Sequence, residues 1–131
     1  MSRAEKRRVL IVDDEQLIAD TLATIFSLAG YEARAACSAE KAFELIAGWP
    51  PRLAIVDVLL PAMKGIDFAI LLEATIPGCM VRLFSGQFDP SRLLEAARRN
   101  GHTFEVLAKP VHPSEFLRQA SELLPPSDVS N

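Results

Sequence analysis

The chain has 131 residues and a formal net charge of −3 at pH 7, and 50% of its residues are hydrophobic. These values indicate one globular domain with a sizeable core and give no reason to expect nucleic-acid binding. No apolar run approaches the roughly 20 residues of a membrane span, and the basic start "MSRAEKRR" precedes too short an apolar run for a signal peptide.

Hydrophobic patterning predicts five strands that alternate with five helices. Short apolar runs are typical of buried parallel strands, and apolar residues at helical spacing fill the segments between them. The predicted strands are "RRVLIVDD" (7–14), "YEARAAC" (31–37), "RLAIVDV" (52–58), "CMVRLFS" (79–85) and "FEVLA" (104–108). The predicted helices lie in 15–30, 38–48, about 66–75, 89–101 and 112–124.

Capping residues and glycines mark the predicted helix ends. Ser38 is expected to cap the second helix, and Asp89 is expected to cap the fourth helix, with Pro90 at its first position. Gly30 and Gly101 are placed to end helices. The alternation of strands and helices with short connections predicts an α/β fold, with a parallel sheet covered by helices on both faces.

Several other residues receive structural interpretations. Cys37 and Cys79 have no metal-ligand spacing, which predicts free, largely buried thiols in a reducing cytoplasm. His102 and His112 are interpreted as surface or capping residues, without a carboxylate or cysteine at ligand spacing. Trp49 is expected to pack at a helix–strand corner.

The third strand carries a carboxylate inside an apolar run, "AIVDVLLP" (54–61). A carboxylate in a strand buried on both faces is costly and calls for an explanation. In open parallel sheets, ligands bind beyond the carboxyl ends of the strands. The predicted strand ends bring the following polar residues to that edge: Asp13, Asp14, Asp57, Ser85 and Lys109.

This set of side chains predicts a phosphoryl site with a divalent cation. Three clustered carboxylates repel one another unless a cation neutralises them, and Mg²⁺ prefers oxygen ligands. The hydroxyl of Ser85 and the ammonium of Lys109 supply the hydrogen-bond donor and point charge that phosphoryl oxygens need. Alone, Asp13 and Asp14 could simply cap the following helix. Ser85 alone could be a turn residue, and Lys109 alone an exposed loop residue.

Four motifs, in order at the strand ends, resemble the receiver domain of bacterial two-component response regulators. They are "IVDDE" (11–15), "DVLLPAMKG" (57–65), "FSG" (84–86) and "AKP" (108–110). The resemblance implies a flavodoxin-like, doubly wound, five-stranded parallel sheet of order 2-1-3-4-5 with five helices. It also implies three parts, a basic lead-in at 1–7, the receiver domain at 8–124, and a tail or linker start at 125–131.

The resemblance implies a role for each matching residue. Asp57 would be the phosphoacceptor, taking a phosphoryl group from a histidine kinase or histidine phosphotransfer protein. Mg²⁺ would be bound by Asp14, by Asp57, by the backbone carbonyl of Leu59 and, through water, by Asp13. Lys109, before an expected cis proline bond, would pair with Asp57 and then with the phosphoryl group.

The implied switch departs from the family pattern. Ser85 would bond a phosphoryl oxygen and act with an aromatic residue three positions before Lys109, where this sequence has Val106. Either Phe104 takes that role through a shifted register, or the aromatic switch is absent. Leu59 and Gln87 occupy positions that the resemblance implies to tune phosphoryl lifetime. Because Leu59 is apolar and cannot orient an attacking water, a long-lived phospho-aspartate is expected.

The resemblance implies a phosphorylation-controlled switch and not an enzyme, with at most self-phosphorylation from small phosphodonors and autodephosphorylation. Residues 89–124 are the expected readout surface for an output domain, a downstream protein or a homodimer partner. No membrane contact and no direct nucleic-acid binding are expected. Two alternatives remain, a receiver-like interaction module that needs no phosphate and an aspartyl phosphohydrolase of the haloacid dehalogenase type. The second needs a further Asp where Leu59 stands.

Overall fold

Five strands and five helices alternate along the described part of the chain, as the patterning predicts. The computed structural model describes residues 7–86, 89–108 and 112–124. The strands are β1 (Arg8–Val12), β2 (Glu32–Ala36), β3 (Leu53–Asp57), β4 (Met80–Ser85) and β5 (Glu105–Ala108). The helices are α1 (Gln16–Leu28), α2 (Ala39–Ile46), α3 (Gly65–Thr75), α4 (Ser91–Arg99) and α5 (Pro113–Leu123).

The strands form one parallel sheet in the order β2-β1-β3-β4-β5. This order confirms the fold that the resemblance implied. Val12 near the end of β1 lies beside Val56 of β3, and Ser85 at the end of β4 lies beside Ala108 of β5. The carboxyl ends of β1, β3, β4 and β5 therefore meet at one edge of the sheet.

The central strands are buried on both faces, which explains their continuous apolar sequences. Leu10 and Val12 of β1 join the core beneath α2, α3 and α4. Val9 and Ile11 of the same strand join the core beneath α1 and α5. The predicted arrangement of helices on both faces is confirmed.

Most helix ends follow the predicted signals, and one differs. Ser38 accepts the N–H of Lys41 at 3.1 Å and caps α2, as predicted. The prediction for α4 was one residue early, because the helix begins at Ser91 and its capping position is Pro90. Asp89 instead forms a turn that accepts the N–H of Ser91 at 3.0 Å and its hydroxyl at 2.6 Å. These hydrogen bonds keep the pKa of Asp89 below its usual range.

Trp49 closes the corner between α2 and β3, as predicted. Its indole N–H donates to Glu32 at 3.1 Å, and the guanidinium of Arg34 lies 4.5 Å from the centre of its ring. The hydrogen bond from Trp49 is the main reason that the pKa of Glu32 lies below its ordinary value. The Arg8 side chain also donates to Glu32 at 3.2 Å, so Glu32 of β2 is bound both to β1 and to the connection between α2 and β3.

Both cysteines are free and His112 caps a helix, as the sequence predicts. Cys37 and Cys79 are free thiols, and burial raises the pKa of Cys79 to about 12. His112 is a capping residue, because its Nδ1 accepts the N–H of Ser114 at 3.1 Å. No helix in the described ranges is long and apolar enough to span a bilayer.

Candidate functional site

Three carboxylates meet at the carboxyl edge of the sheet and form what we call the acidic cluster, Asp13, Asp14 and Asp57. One oxygen from each lies within 4.8 Å of the others. Asp13 directly follows β1, Asp57 is the last residue of β3, and the two strands are neighbours in register. Asp13 is 0% exposed and Asp57 is 5% exposed, whereas Asp14 is exposed. The cluster therefore has two buried members and one that faces solvent.

Main-chain hydrogen bonds fix Asp13 at the start of the turn into α1. Its N–H donates to the carbonyl of Ala36 at 3.1 Å, which extends the pairing of β1 with β2 by one residue. Its carboxylate accepts the N–H of Glu15 at 2.9 Å. The main chain of Asp13 is thus held by β2, and its side chain is oriented by the turn into α1.

Asp57 is held in a similar way at the end of β3. Its Oδ1 accepts the N–H of Leu59 at 3.0 Å. The next residue, Val58, donates its N–H to the carbonyl of Phe84 at 2.9 Å, so the end of β3 is fastened to β4. The apolar residues around Asp57 bury the strand, and the carboxylate emerges where the strand ends.

Gly65 lets α3 begin directly against the backbone of the third strand's end. A Cβ at this position would lie 2.8 Å from the Asp57 carbonyl carbon and 2.9 Å from the Val58 Cα, and closer still to the Asp57 carbonyl oxygen. The Gly65 N–H donates to the carbonyl of Val58 at 2.8 Å. The glycine eight residues after Asp57 is therefore needed for a close approach of two backbone segments.

The loop between β3 and α3 contains a strained turn that sequence reasoning missed. The N–H of Met63 donates to the carbonyl of Pro61 at 2.7 Å, which makes a three-residue γ-turn around Ala62. Ala62 has a φ of 68°, a left-handed conformation that is unfavourable for a residue with a Cβ. No glycine or asparagine at this position signals such a turn.

The other predicted site residues are divided between described and undescribed parts of the chain. Ser85 is buried as the last residue of β4. Leu59 is 48% exposed beside Asp57. Lys109, the bond to its proline, and Gln87 lie outside the described residues. Ala108, which precedes Lys109 in the sequence, is the register partner of Ser85.

The two candidate switch residues occupy different environments. Val106 lies within β5 opposite Leu83 and packs half-buried against the core beneath α3 and α4. Phe104 precedes β5, packs against the same core, and stacks on His102 with ring centres 6.4 Å apart and planes 7° apart. Ser85 is paired in register with Ala108, and Phe104 lies four residues before Ala108. Four residues of extended chain span about 13 Å.

His102 has a carboxylate neighbour that sequence reasoning did not find. Its Nδ1 lies 3.7 Å from Glu73 Oε1 near the end of α3. Its N–H donates to the carbonyl of Ala97 at 2.9 Å and closes the end of α4. The two residues are far apart in sequence, so only the packing of α3 against α4 brings them together.

The donor set of the acidic cluster fits a hard divalent cation. Three carboxylate oxygens at this separation form the oxygen-only environment that Mg²⁺ prefers, and the exposed side at Asp14 leaves room for water ligands. Such a cation would offset the mutual repulsion of the carboxylates. The predicted metal-binding side chains are therefore brought together by the fold.

Comparisons with known proteins agree with this geometry. The family model of the response regulator receiver domain matches residues 9–121. The chemotaxis protein CheY of Thermotoga maritima is 29% identical over 118 residues, which cover 89% of this chain and 97% of that protein. A CheY-like receiver domain structure from Methanospirillum hungatei has a TM-score of 0.79 at 28% identity, covering 90% of this chain and 93% of that one.

Other relatives are much longer than this chain. A cyclic di-GMP phosphodiesterase of Thermotoga maritima is 31% identical over 110 residues, which cover 84% of this chain and only 28% of that protein. The chain also spans less than half of probable transcriptional regulators from Cyanophora paradoxa and Porphyridium aerugineum. The chain therefore corresponds to only part of each of these relatives. The chain belongs to the response regulator receiver domain family.

Proposed function

We propose that this chain is a phosphoacceptor switch, in which Asp57 takes a phosphoryl group from a histidine kinase or a histidine phosphotransfer protein in the presence of Mg²⁺. The observation that carries the proposal is the acidic cluster itself, with Asp57 buried beside Asp13. At an effective dielectric constant of about 20, two full charges 4.8 Å apart repel each other by roughly 3.5 kcal/mol. Since a domain is stable by only about 5–15 kcal/mol, this repulsion is a sizeable cost, and a bound cation would offset it.

The described contacts suit Asp57 for in-line attack on phosphorus. One carboxylate oxygen accepts the Leu59 N–H, which fixes the rotation of the side chain. A carboxylate oxygen of Asp57 would form the new bond to phosphorus as the bond from phosphorus to the donor's histidine nitrogen breaks, and that nitrogen would keep the electron pair. Mg²⁺, held by Asp14, Asp57, the Leu59 carbonyl and, through water, Asp13, would neutralise charge on the reacting oxygens. The protein's contribution is positioning and electrostatics, as in phosphoryl transfer generally.

Ser85 and Lys109 would complete the site. Ser85 is buried at the end of the strand next to β3, where its hydroxyl can donate to a phosphoryl oxygen. Lys109 follows the register partner of Ser85 in the sequence, and we propose that it pairs first with Asp57 and then with the phosphoryl group. Both contributions stabilise added negative charge.

Signal output would pass through the readout surface, residues 89–124, to an output domain, a downstream protein or a second copy of the chain. Phosphorylation would shift the balance between two conformations. The longer relatives support an attached output domain in some proteins of this family. We propose that the receiver domain covers residues 8–124 and that the protein acts in the cytoplasm. We expect it to bind neither a membrane nor nucleic acid directly.

The phospho-aspartate is expected to be long-lived. Leu59 is exposed beside Asp57, and its side chain has no group that could orient an attacking water. Gln87, the other residue proposed to tune the lifetime, lies outside the described residues. Decay of the phosphorylated form after removal of the phosphodonor measures the lifetime, and a half-life of seconds would contradict the argument.

The proposal is tested by labelling with acetyl phosphate and Mg²⁺, followed on gels that resolve the phosphorylated form. We expect wild type and Asp20→Asn, an exposed carboxylate of α1, to be labelled, and Asp57→Asn and wild type in excess chelator to remain unlabelled. Equal labelling of Asp57→Asn would exclude Asp57 as the acceptor. Turnover of phosphate esters is not expected, because Leu59 replaces the acid that a phosphohydrolase of this kind needs.

A second candidate function is favoured by one observation, the aliphatic Val106 in the family's aromatic position. A receiver-like module that binds a partner without phosphate would tolerate this change. Such a module predicts no labelling in wild type and the same partner binding in Asp57→Asn. Labelling that depends on Asp57 and Mg²⁺ would exclude it.

A further inference from the structure

We propose that helix α3 transmits the state of Asp57 to Phe104, through Gly65 at its first residue and Glu73 near its last. The inference rests on the proposed function, because phosphorylation of Asp57 is its input. It assigns a role to Phe104 that does not require contact with Ser85. It also gives Glu73 and His102 a positioning role in the switch.

The first residue of α3, Gly65, packs tightly against the backbone at the end of β3. Gly65 Cα packs so closely on the carbonyl of Asp57 that even a methyl group would not fit. The Gly65 N–H also donates to the carbonyl of Val58 at 2.8 Å. A displacement of the main chain at Asp57 must therefore displace the first turn of α3.

The body of α3 is suited to move as a unit. Its inward-facing residues Ile66, Phe68, Ala69 and Leu72 are all buried in the core beneath α2, α3 and α4. Close packing makes such a helix shift as a rigid body, because side chains cannot compress individually. Its 11 residues span about 16 Å, enough to reach from the carboxyl edge of the sheet towards the opposite edge.

The output end of α3 contacts the connection between α4 and β5. Glu73 Oε1 lies 3.7 Å from the Nδ1 of His102. The His102 backbone is anchored to α4 through Ala97, and its ring lies parallel to that of Phe104. A shift of α3 would therefore reach the ring stack and the start of β5, inside the readout surface.

The alternative route through Ser85 is less direct for this aromatic ring. Ser85 pairs in register with Ala108, and Phe104 lies about 13 Å further back along the strand direction. Val106, which is nearer, has neither a ring nor a hydroxyl to report on Ser85. The contacts of α3 form a described path from the phosphoacceptor to Phe104 that does not pass through Ser85.

The test is to follow NMR signals of the Phe104 ring and of the Ser85 amide while beryllofluoride and Mg²⁺ are added to the whole chain. The variants are Glu73→Gln, which keeps the side-chain size and removes the charge, and His102→Gln. Asp67→Asn is the matched control, because it removes an exposed carboxylate from the same helix. All three changes are at partly or fully exposed positions, so the fold should be retained.

In wild type and Asp67→Asn we expect both signals to shift. In Glu73→Gln and His102→Gln we expect the Ser85 signal to shift as in wild type and the Phe104 shift to be largely lost. An undiminished Phe104 shift in both variants would overturn the inference and leave the proposed function intact. No shift of either signal in wild type would overturn the proposed function, and the inference with it.

Discussion

Replacing Gly65 by alanine should destabilise the protein strongly and slow phosphorylation of Asp57. The new Cβ would lie 2.8 Å from the Asp57 carbonyl carbon and 2.9 Å from the Val58 Cα, well inside van der Waals contact. These neighbours are buried backbone atoms at and just after the end of β3, so they cannot rotate away as a side chain could. Overpacking of this kind typically costs about 1–3 kcal/mol, and we expect about 2–3 kcal/mol because the rigid backbone must shift.

Gly78→Ala is the matched control for this experiment. A Cβ at Gly78 would have no heavy atom within 4 Å, and its backbone is not left-handed. We therefore expect a change of no more than about 0.5 kcal/mol, as for surface substitutions generally. The free energy of unfolding is measured in urea, with the initial rate of labelling by acetyl phosphate as the second readout. Equal stability of Gly65→Ala and Gly78→Ala would refute the close approach between α3 and β3.

Two further predictions concern the strained turn and the surface of α5. Ala62→Gly should stabilise the protein by up to about 1 kcal/mol in urea unfolding, because relief of left-handed strain exceeds the entropy that glycine adds to the unfolded chain; a clear loss of stability would contradict this. The hydrogen bond from Arg118 lowers the pKa of Glu115 from 4.5 to about 2. The contribution of this pair to the stability of the protein is therefore complete above pH 4.5 and is lost as the pH falls towards 2. The stability difference between wild type and Arg118→Gln should therefore shrink over that interval, and a constant difference would exclude this pair as its cause.

The fold and the acidic cluster were predictable because they depend on local patterns repeated along the chain. The strands β1, β3 and β4 are rich in apolar residues, and they end at or directly before Asp13, Asp57 and Ser85, whose polar side chains are costly to bury without a partner. Asp57 is the clearest example, because an apolar strand interior gives a carboxylate no structural role. Parallel strands then bring their ends to one edge without further information about packing.

The contacts that depend on packing between distant elements could not be read from the sequence. His102 and Glu73 lie on separate elements, and their proximity depends on the length and tilt of α3. Ala62 adopts a left-handed conformation without any residue that signals it. The motif identified Gly65, but the reason for a glycine became clear only from its distance to the Asp57 backbone.

Under the proposed function, the uneven burial of the acidic cluster would allow one site both to react and to signal. Asp14 is exposed, so a cation and a phosphodonor can approach from its side. Asp13 and Asp57 are buried, where charges interact more strongly than they do in bulk water. A phosphoryl group on Asp57 would therefore add charge where the surroundings screen it weakly. Val58 binds the end of β3 to β4, and Gly65 of α3 contacts the Asp57 backbone, so the added charge would act on the main chain, where side-chain rotation alone cannot relieve it.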